Sequence, residues 1–412
     1  MLRAILTGGL SRLSSSQGVF RIPGFRSFWL ATVVNQMGFG MQQVILGWVV
    51  LTLTNSSQMV GIAFALRSAP NLVVGFAAGA LTDRLDRRHV MRLALFGIAL
   101  AALVMAWATA LERLAIWQVL VYAPVLGLLR AFEMTARQAY VYDLAGPGGA
   151  LQGLALNAMA QRLGGTLGSL IAGVALQWWG MAAGFFIIGL SCAISGAMLY
   201  ALRERGAAAP TTFEPLLQNL RSYGRALRAN RVLRHLIIST AAAEILGFSH
   251  QVMLPVLVKE VLQADAASLG VLTAFRFIGG SFGVMLLAIL GPSSHQGAML
   301  LVALGLFGGG QMLLSQATQL WFAVICVTWI NVMASVTDVL HQTLLQAHVA
   351  NAQRGRAMGS WVVGTGAAPI GHLEIGYLAG ATHVSTALLC NGMALAMLPL
   401  LLLWLMPQLR RL

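Results

Sequence analysis

Most of this chain is apolar, so the ionisable residues that fall inside its apolar runs are the first places to look for chemistry. Glu244 and Glu374 have no opposite charge within one helical turn of themselves. A desolvated carboxyl can load and release a proton near neutral pH, which is the chemistry of proton coupling. A hydrogen-bonded packing role is the competing reading. Asp338 is a third carboxyl of this kind, and His341 shares its helix face. Arg130, Glu133 and Arg137 stand at i, i+3 and i+7, so they line one face and can neutralise one another. They form either a self-satisfied structural cluster or a binding site, and Arg130 with Asp338 is a plausible longer-range pair. Arg67 and Arg276 are either partners for the isolated glutamates or contacts for an anionic group on a bound molecule. His250 and His372 are read as hydrogen-bonded packing residues in preference to titrating ones.

Several other chemistries are excluded. Cys192, Cys326 and Cys390 each lie in an apolar run, without metal-ligand spacing or a disulfide framework. No metal or cofactor is expected. Gly279-Gly280-Ser281-Phe282-Gly283 fits G-x-S-x-G, but that motif needs a strand-to-helix elbow and here it lies within a helical run. No G-x4-G-K-S/T run is present, so direct ATP hydrolysis is not expected. No nucleophile–base pair stands out, and an enzyme is the least favoured class.

The elements that must hold these groups follow from composition. The 412 residues are 58% hydrophobic and 9% charged, more apolar than a soluble fold needs. The net charge of +14 does not mark a nucleic-acid protein, because the arginines fall between apolar runs. Of the 26 basic residues only Lys259 is a lysine. Twelve runs can cross a bilayer as helices: 28–51, 59–81, 91–111, 114–136, 153–176, 181–202, 232–258, 268–290, 297–316, 319–342, 358–380 and 382–406. The expected fold class is therefore an all-α membrane protein of twelve transmembrane helices in two six-helix halves.

Basic residues accumulate in cytoplasmic loops. Arg84 to Arg92, Arg137, Arg203 to Arg234, Arg354 with Arg356, and Arg410 with Arg411 all fall on one side, which makes both termini cytoplasmic. The domain reading is an N-terminal tail 1–27, a first half 28–202, a linker 203–231, a second half 232–406 and a tail 407–412. The tail's serines and arginines superficially suggest a transit peptide, yet it runs straight into the first span. Phe213 to Arg234 carries Leu216, Leu220, Tyr223 and Leu227 at helical spacing and is expected to form an interfacial amphipathic helix. The halves also echo one another. Gln138-Ala139-Tyr140-Val141 answers Gln346-Ala347-His348-Val349, and Phe64 to Arg67 answers Thr273 to Arg276, at offsets of 208 and 209.

The charged turn Gly79-x3-Asp83-Arg84-x2-Arg87-Arg88 resembles the loop 2–3 signature of the major facilitator superfamily, with Asp86 in place of its second glycine. The resemblance covers essentially the whole chain. Gln353 to Gly359, Pro369-Ile370-Gly371 and Gly376 are similar to helix 11 of the branch that contains the enterobactin exporter and related secretion effectors. It implies a cytoplasmic latch formed by Gly79, Asp83, Arg84, Arg87 and Arg88. There Asp83 would meet the start of helix 11, and Arg87 an acid at the end of helix 4, either Glu133 or Asp143. Gly164, Gly168 and Gly173, with Ser169 and Ala172 between, are similar to the family's antiporter signature. The same small residues also explain close helix packing with no transport role.

The resemblance implies a monomeric, multi-pass protein of a bacterial inner membrane that exports small amphipathic molecules, driven by protons, with substrate bound near the midplane between halves. Its partners are then lipid, protons and a small molecule. A proton-linked importer is the first alternative and a non-transporting receptor or scaffold the second.

Overall fold

A computed structural model describes residues 18–82, 85–202, 231–291, 295–347 and 364–405. In chain order the helices are α1 (Phe25–Thr54), α2 (Ser57–Thr82), α3 (Arg87–Ala110) and α4 (Ile116–Gly146). They continue with α5 (147–178), α6 (Gly180–Met198), α7 (Val232–Val261) and α8 (Ala266–Leu290). The last four are α9 (Gln296–Leu314), α10 (Leu320–Ala347), α11 (Ala368–Ala381) and α12 (Val384–Leu405). Nine helices are long and apolar enough, over the described residues, to cross a bilayer. The amphipathic helix expected over 213–234 lies outside the described residues but for its last four, of which 232–234 begin α7. Asp83, Arg84 and 348–363 are likewise outside them.

Helices are the only open-chain solution in lipid, because every backbone polar group must be satisfied within its own segment. Their sequences sort faces by neighbour and not by polarity. On α3, Leu93, Leu100, Val104 and Trp107 are exposed along one stripe, while Ile98, Ala102 and Met105 on the other face are buried. The exposed stripe is apolar because its solvent is the bilayer.

The largest departure from the expected boundaries is at α4. It was expected to stop at 136, with Arg137 in a loop, yet helix continues to Gly146 and α5 follows directly. Arg137 is buried at 3% exposure, where Glu133 accepts its Nε proton at 2.8 Å. A neutralised arginine no longer forces the chain into water. The bend comes at Gly146, whose φ of 65° suits a residue with no Cβ.

Within the first half, α1 packs on α5 and α6, and α3 packs on α4 and α6. A Cβ on Gly164 or Gly168 would overlap the carbonyl oxygens of Val33 and Met37 on α1, so these glycines set how closely α1 and α5 approach. Among the described residues two helix pairs make most of the contact between the halves: α2 with α11 and α5 with α8. They are the same contact twice. An ideal Cβ on Gly61 would lie 2.9 Å from the Cα of Gly376, and one on Gly270 would lie 2.9 Å from the Cα of Gly173. Gly61 and Gly270 are 209 residues apart, the offset already seen for Arg67 and Arg276. The expected internal repeat is therefore built into the seam between the halves.

Near this seam the α1–α2 and α7–α8 turns close one end of the molecule. Lys259 donates to Asn55 Oδ1 at 3.0 Å and to the Leu51 carbonyl at 3.5 Å, tying α7 to the end of α1.

Candidate functional site

From each seam glycine the helix runs six residues further to an arginine, about 9 Å deeper into the molecule at 1.5 Å per residue. Arg67 on α2 and Arg276 on α8 thereby come to the interior between the halves. Arg67 lines a cavity of about 270 Å³ with Arg130, Phe39, Phe64, Met134 and His372. Arg276 lines a neighbouring cavity of about 120 Å³ with Arg162, Asp338, Ser335, Asn331 and His250. Gln251 on α7 borders both, so the two adjoin.

The arginines differ in how they are held. Arg130 donates to Asn35 Oδ1 at 2.5 Å and to Gln42 Oε1 at 3.2 Å, and lies 3.8 Å from Glu133. Glu133 also accepts from Asn35 at 2.8 Å, and Arg137 donates to Asn157 at 3.1 Å. This ties α4 to α1 and α5 in one closed polar network. Arg67 has only neutral contacts among the described residues: Gln43 Oε1 at 2.7 Å and the Phe39 ring at 5.3 Å from its guanidinium carbon. Arg130 lies over the same ring at 5.5 Å. Arg276 stacks 5.3 Å from the centre of the Phe277 ring, and no carboxylate lies within ion-pair distance of it among the described residues.

Asp338 faces Arg162 of α5, not Arg130 as the sequence reading had it. Arg162 and Asp338 border the same cavity and attract one another, and Arg162 reaches across the halves to Ser335 Oγ at 3.4 Å. Arg130 is turned away because Glu133 is on its own helix one turn on. Asp338 also accepts from Gln342 at 3.3 Å. Its helix-mate His341 is hydrogen-bonded to Ser239 of α7 at 2.9 Å.

Of the two glutamates, neither borders either cavity. Glu244 lies in a π-helical turn of α7, Ala243–Phe248, and feels the charge of Asp338. Such a turn re-aims side chains and is frequent at functional sites. Glu374 accepts from Asn391 of α12 at 3.0 Å. Neither is paired with Arg67 or Arg276 within ion-pair distance, so that alternative for the arginines is not met. His250 makes the expected packing bonds, to the Gly247 carbonyl at 2.7 Å and toward Asn331 at 3.5 Å. His372 contacts Ser68 Oγ at 3.0 Å through Nδ1, while its Nε2 is buried without a partner among the described residues.

Between the two readings for Arg87, the structure takes Asp143: the ion pair is 2.5 Å long. Arg88 donates to the Leu202 carbonyl at the end of α6. Gly79 falls within α2, and Asp83 and Arg84 lie outside the described residues. The cysteines are free, and no His, Cys, Asp or Glu cluster among the described residues has metal-site geometry.

Sequence reasoning passed over Arg162, Phe39, Gln43 and Gln251. Arg162 had a visible signal, since it is a charge within the expected span 153–176, two residues before the glycine run. The neutral three carried none, because a glutamine or phenylalanine in an apolar run reads the same whether it faces a neighbour or a cavity.

A family model described as Major Facilitator Superfamily matches residues 28–371. The enterobactin exporter EntS of Shigella flexneri is 26% identical over 407 residues, covering 94% of this chain and 93% of that protein. The protein of the same name from Escherichia coli O81 (strain ED1a) is 26% identical over 409 residues with the same coverage. Among solved structures, the nucleoside transporter NupG superposes with a TM-score of 0.75 at 11% identity, covering 93% of this chain and 99% of that one. A peptide transporter POT in complex with sulfate also gives 0.75, at 14% identity, with 94% and 95% covered. At such identities the structural likeness carries the fold alone.

Proposed function

Since the chain belongs to the major facilitator superfamily and is a multi-pass membrane transporter, not an enzyme, we propose that it exports small amphipathic molecules and couples their exit to proton entry. The observation that carries this is the paired cavity. It lies between the halves, mixes aromatic walls with charged groups, and is bordered by side chains from both halves. A site that both halves share is one that rocking the halves can expose first to one side and then to the other. Its size suits a ligand at the small end of the usual range, since such pockets span about 300–1,000 Å³. Export is supported by the relatives named enterobactin exporter, and the siderophore, drug or metabolite range follows from the resemblance in the sequence.

In this reading the arginine-rich turns are cytoplasmic, as are both termini, and the membrane is a bacterial inner membrane. The seam at Gly61–Gly376 and Gly173–Gly270, with Lys259, is then the outer gate in its closed form. Gly79, Asp83, Arg84, Arg87 and Arg88 form the cytoplasmic latch, with Arg87 anchored on Asp143. The halves are 28–202 and 232–406, joined by a cytoplasmic linker 203–231, and the protein works as a monomer without a nucleic-acid partner. Among Glu244, Glu374 and Asp338, Asp338 is the favoured coupling carboxyl, because it alone borders a cavity and faces an arginine of the other half.

The test is uptake of a panel of labelled amphipathic compounds into inverted membrane vesicles under an imposed proton gradient. Gradient-driven uptake that is lost in Asp338→Asn, Glu244→Gln or Glu374→Gln supports proton-coupled export and picks out the carboxyl. Movement in the opposite direction, dissipating the gradient on entry to right-side-out cells, would replace it with the importer reading.

A further inference from the structure

The two cavities hold far more positive than negative charge. Among the described residues four arginines border them, Arg67 and Arg130 in one, Arg162 and Arg276 in the other, against the single carboxyl of Asp338. Glu133 answers Arg130 and Asp338 answers Arg162. Arg67 and Arg276 are answered by no carboxylate within ion-pair distance among the described residues. They also repel one another across the seam, as Arg276 and Arg162 do. Cations held in adjoining low-dielectric cavities are unfavourable unless something anionic joins them.

We infer that the transported molecule is an organic anion whose acid group binds between Arg67 and Arg276, with its apolar body against Phe39, Phe64 and Met134. This rests on the transporter reading and narrows its substrate to one chemical class. A carboxylate, sulfonate or phosphonate can accept from both guanidinium groups, each planar and charged at any physiological pH. The wall beside Arg67 is apolar and aromatic, so inorganic ions would leave most of the larger cavity unfilled. His372 supplies a further polar point. In the tautomer that carries its proton on Nδ1, where Ser68 Oγ and the Phe64 carbonyl can accept it, Nε2 is left as an acceptor. A hydroxyl or amide N–H on the ligand body would satisfy it.

The placement also explains how binding would drive the cycle. Arg67 belongs to α2 and Arg276 to α8, one in each half, so their repulsion opposes closure of the halves about an empty site. An anion between them turns that repulsion into a bridge. A ligand shifts a conformational equilibrium only through contacts that differ between the two states, and this contact differs by construction.

The experiment is equilibrium binding to the purified full-length transporter in detergent, using pairs of aromatic acids and their methyl esters, with inorganic phosphate and chloride as separate probes. The expected result is that the acids bind at least about tenfold tighter than their esters, since a charge-assisted pair in a buried site is being lost. Arg276→Gln should reduce that preference about tenfold and Arg276→Lys should restore part of it. Esters binding as well as acids, or no member of any pair binding, overturns the inference. So does phosphate or chloride binding as tightly as the acids, which would make this an inorganic ion site. The acid–ester comparison needs no variant, so a poorly folding Arg276→Gln does not blunt it. Acids that bind but are not moved by a proton gradient in vesicles would sink the exporter reading and leave this one standing.

Discussion

In the first half, position 130 of α4 is an arginine and position 133 a glutamate; at the matching turn of α10, 208 residues on, stand Asp338 and His341. Both turns reach back to the first helix of their own half, Glu133 to Asn35 of α1 and His341 to Ser239 of α7. The scaffold is thus repeated, but its charges are not. The first half closes Arg130, Glu133 and Arg137 into a network with Asn35, Gln42 and Asn157. The second half makes the scaffold bond from neutral groups and leaves the carboxyl of this turn, Asp338, at the cavity beside Arg162 of the other half. The turn in the first half uses its charges for internal pairing, and the matching turn in the second presents its carboxyl at the cavity between the halves.

The sharpest way to break that comparison is Glu133→Leu. It leaves Arg130 and Arg137 buried without an acid, which should destabilise the protein by about 3–5 kcal/mol. The thermal unfolding temperature in detergent and the yield of monodisperse protein should both fall. A variant that unfolds alongside wild type would show that the first half does not depend on ion pairing. Asp338→Asn should do the reverse: at a polar cavity the loss of Arg162's acid should cost less stability than Glu133→Leu, while gradient-driven transport drops about tenfold or more, as expected when a coupling group is lost.

A smaller effect separates packing inside a half from packing between halves. Gly168→Val pushes a side chain into α1 within the first half and should cost about 1–3 kcal/mol of stability by overpacking. Gly173→Val presses on α8 across the seam, where a Cβ already meets Ala266 O at 3.0 Å. It should slow transport and leave unfolding little changed, because the halves can part without unfolding. Equal losses of stability from the two would erase the distinction.

His341→Ala removes the bonds to Ser239 and the Thr337 carbonyl and leaves a buried cavity, so it should cost about 2–3 kcal/mol, below Glu133→Leu at the matching position. Calorimetric unfolding of the two variants side by side checks the ratio.

The smallest effect concerns the caps of the two seam helices. Ser56 caps α2, accepting from the Met59 N–H at 3.3 Å, and Asp265 caps α8, accepting from the Ser268 N–H at 2.9 Å. Bonds from the Ser268 hydroxyl and amide hold the Asp265 carboxyl below the usual carboxylate range. A depressed pKa contributes stability that is present above the unfolded value, about 3.9, and is lost as pH falls through the folded one. The α8 cap should therefore weaken in acid and the α2 cap should not. Replacing either residue by alanine should cost about 0.5–1 kcal/mol at neutral pH. Asp265→Ser should be nearly neutral there and remove the acid sensitivity, as read by hydrogen exchange at the start of α8.

Much of the architecture was legible along the chain. Apolar runs of bilayer length, basic turns at alternate ends and a 208–209 residue echo are all local or periodic properties, and lipid permits few ways of satisfying them. The boundary at α4 was misread because Arg137 and Asp143 look like loop residues when their partners are not visible. Arg87 supplies the partner of one and Glu133 with Asn157 the partner of the other, so the helix carries both.

What the sequence determined by itself was the fold class and the list of ionisable groups within it, since the cost of a charge in hydrocarbon depends on residue type and depth. What only the tertiary structure decided was which of those groups neutralise one another. Arg130 had two possible acids, Glu133 and Asp338, and Arg67 and Arg276 had two possible glutamates. Pairing depends on a few ångströms between side chains, because hydrogen bonding acts only at that range and an ion pair gains most of its energy there. Packing gave Glu133 to Arg130 and Asp338 to Arg162, and left Arg67 and Arg276 facing a cavity between the halves.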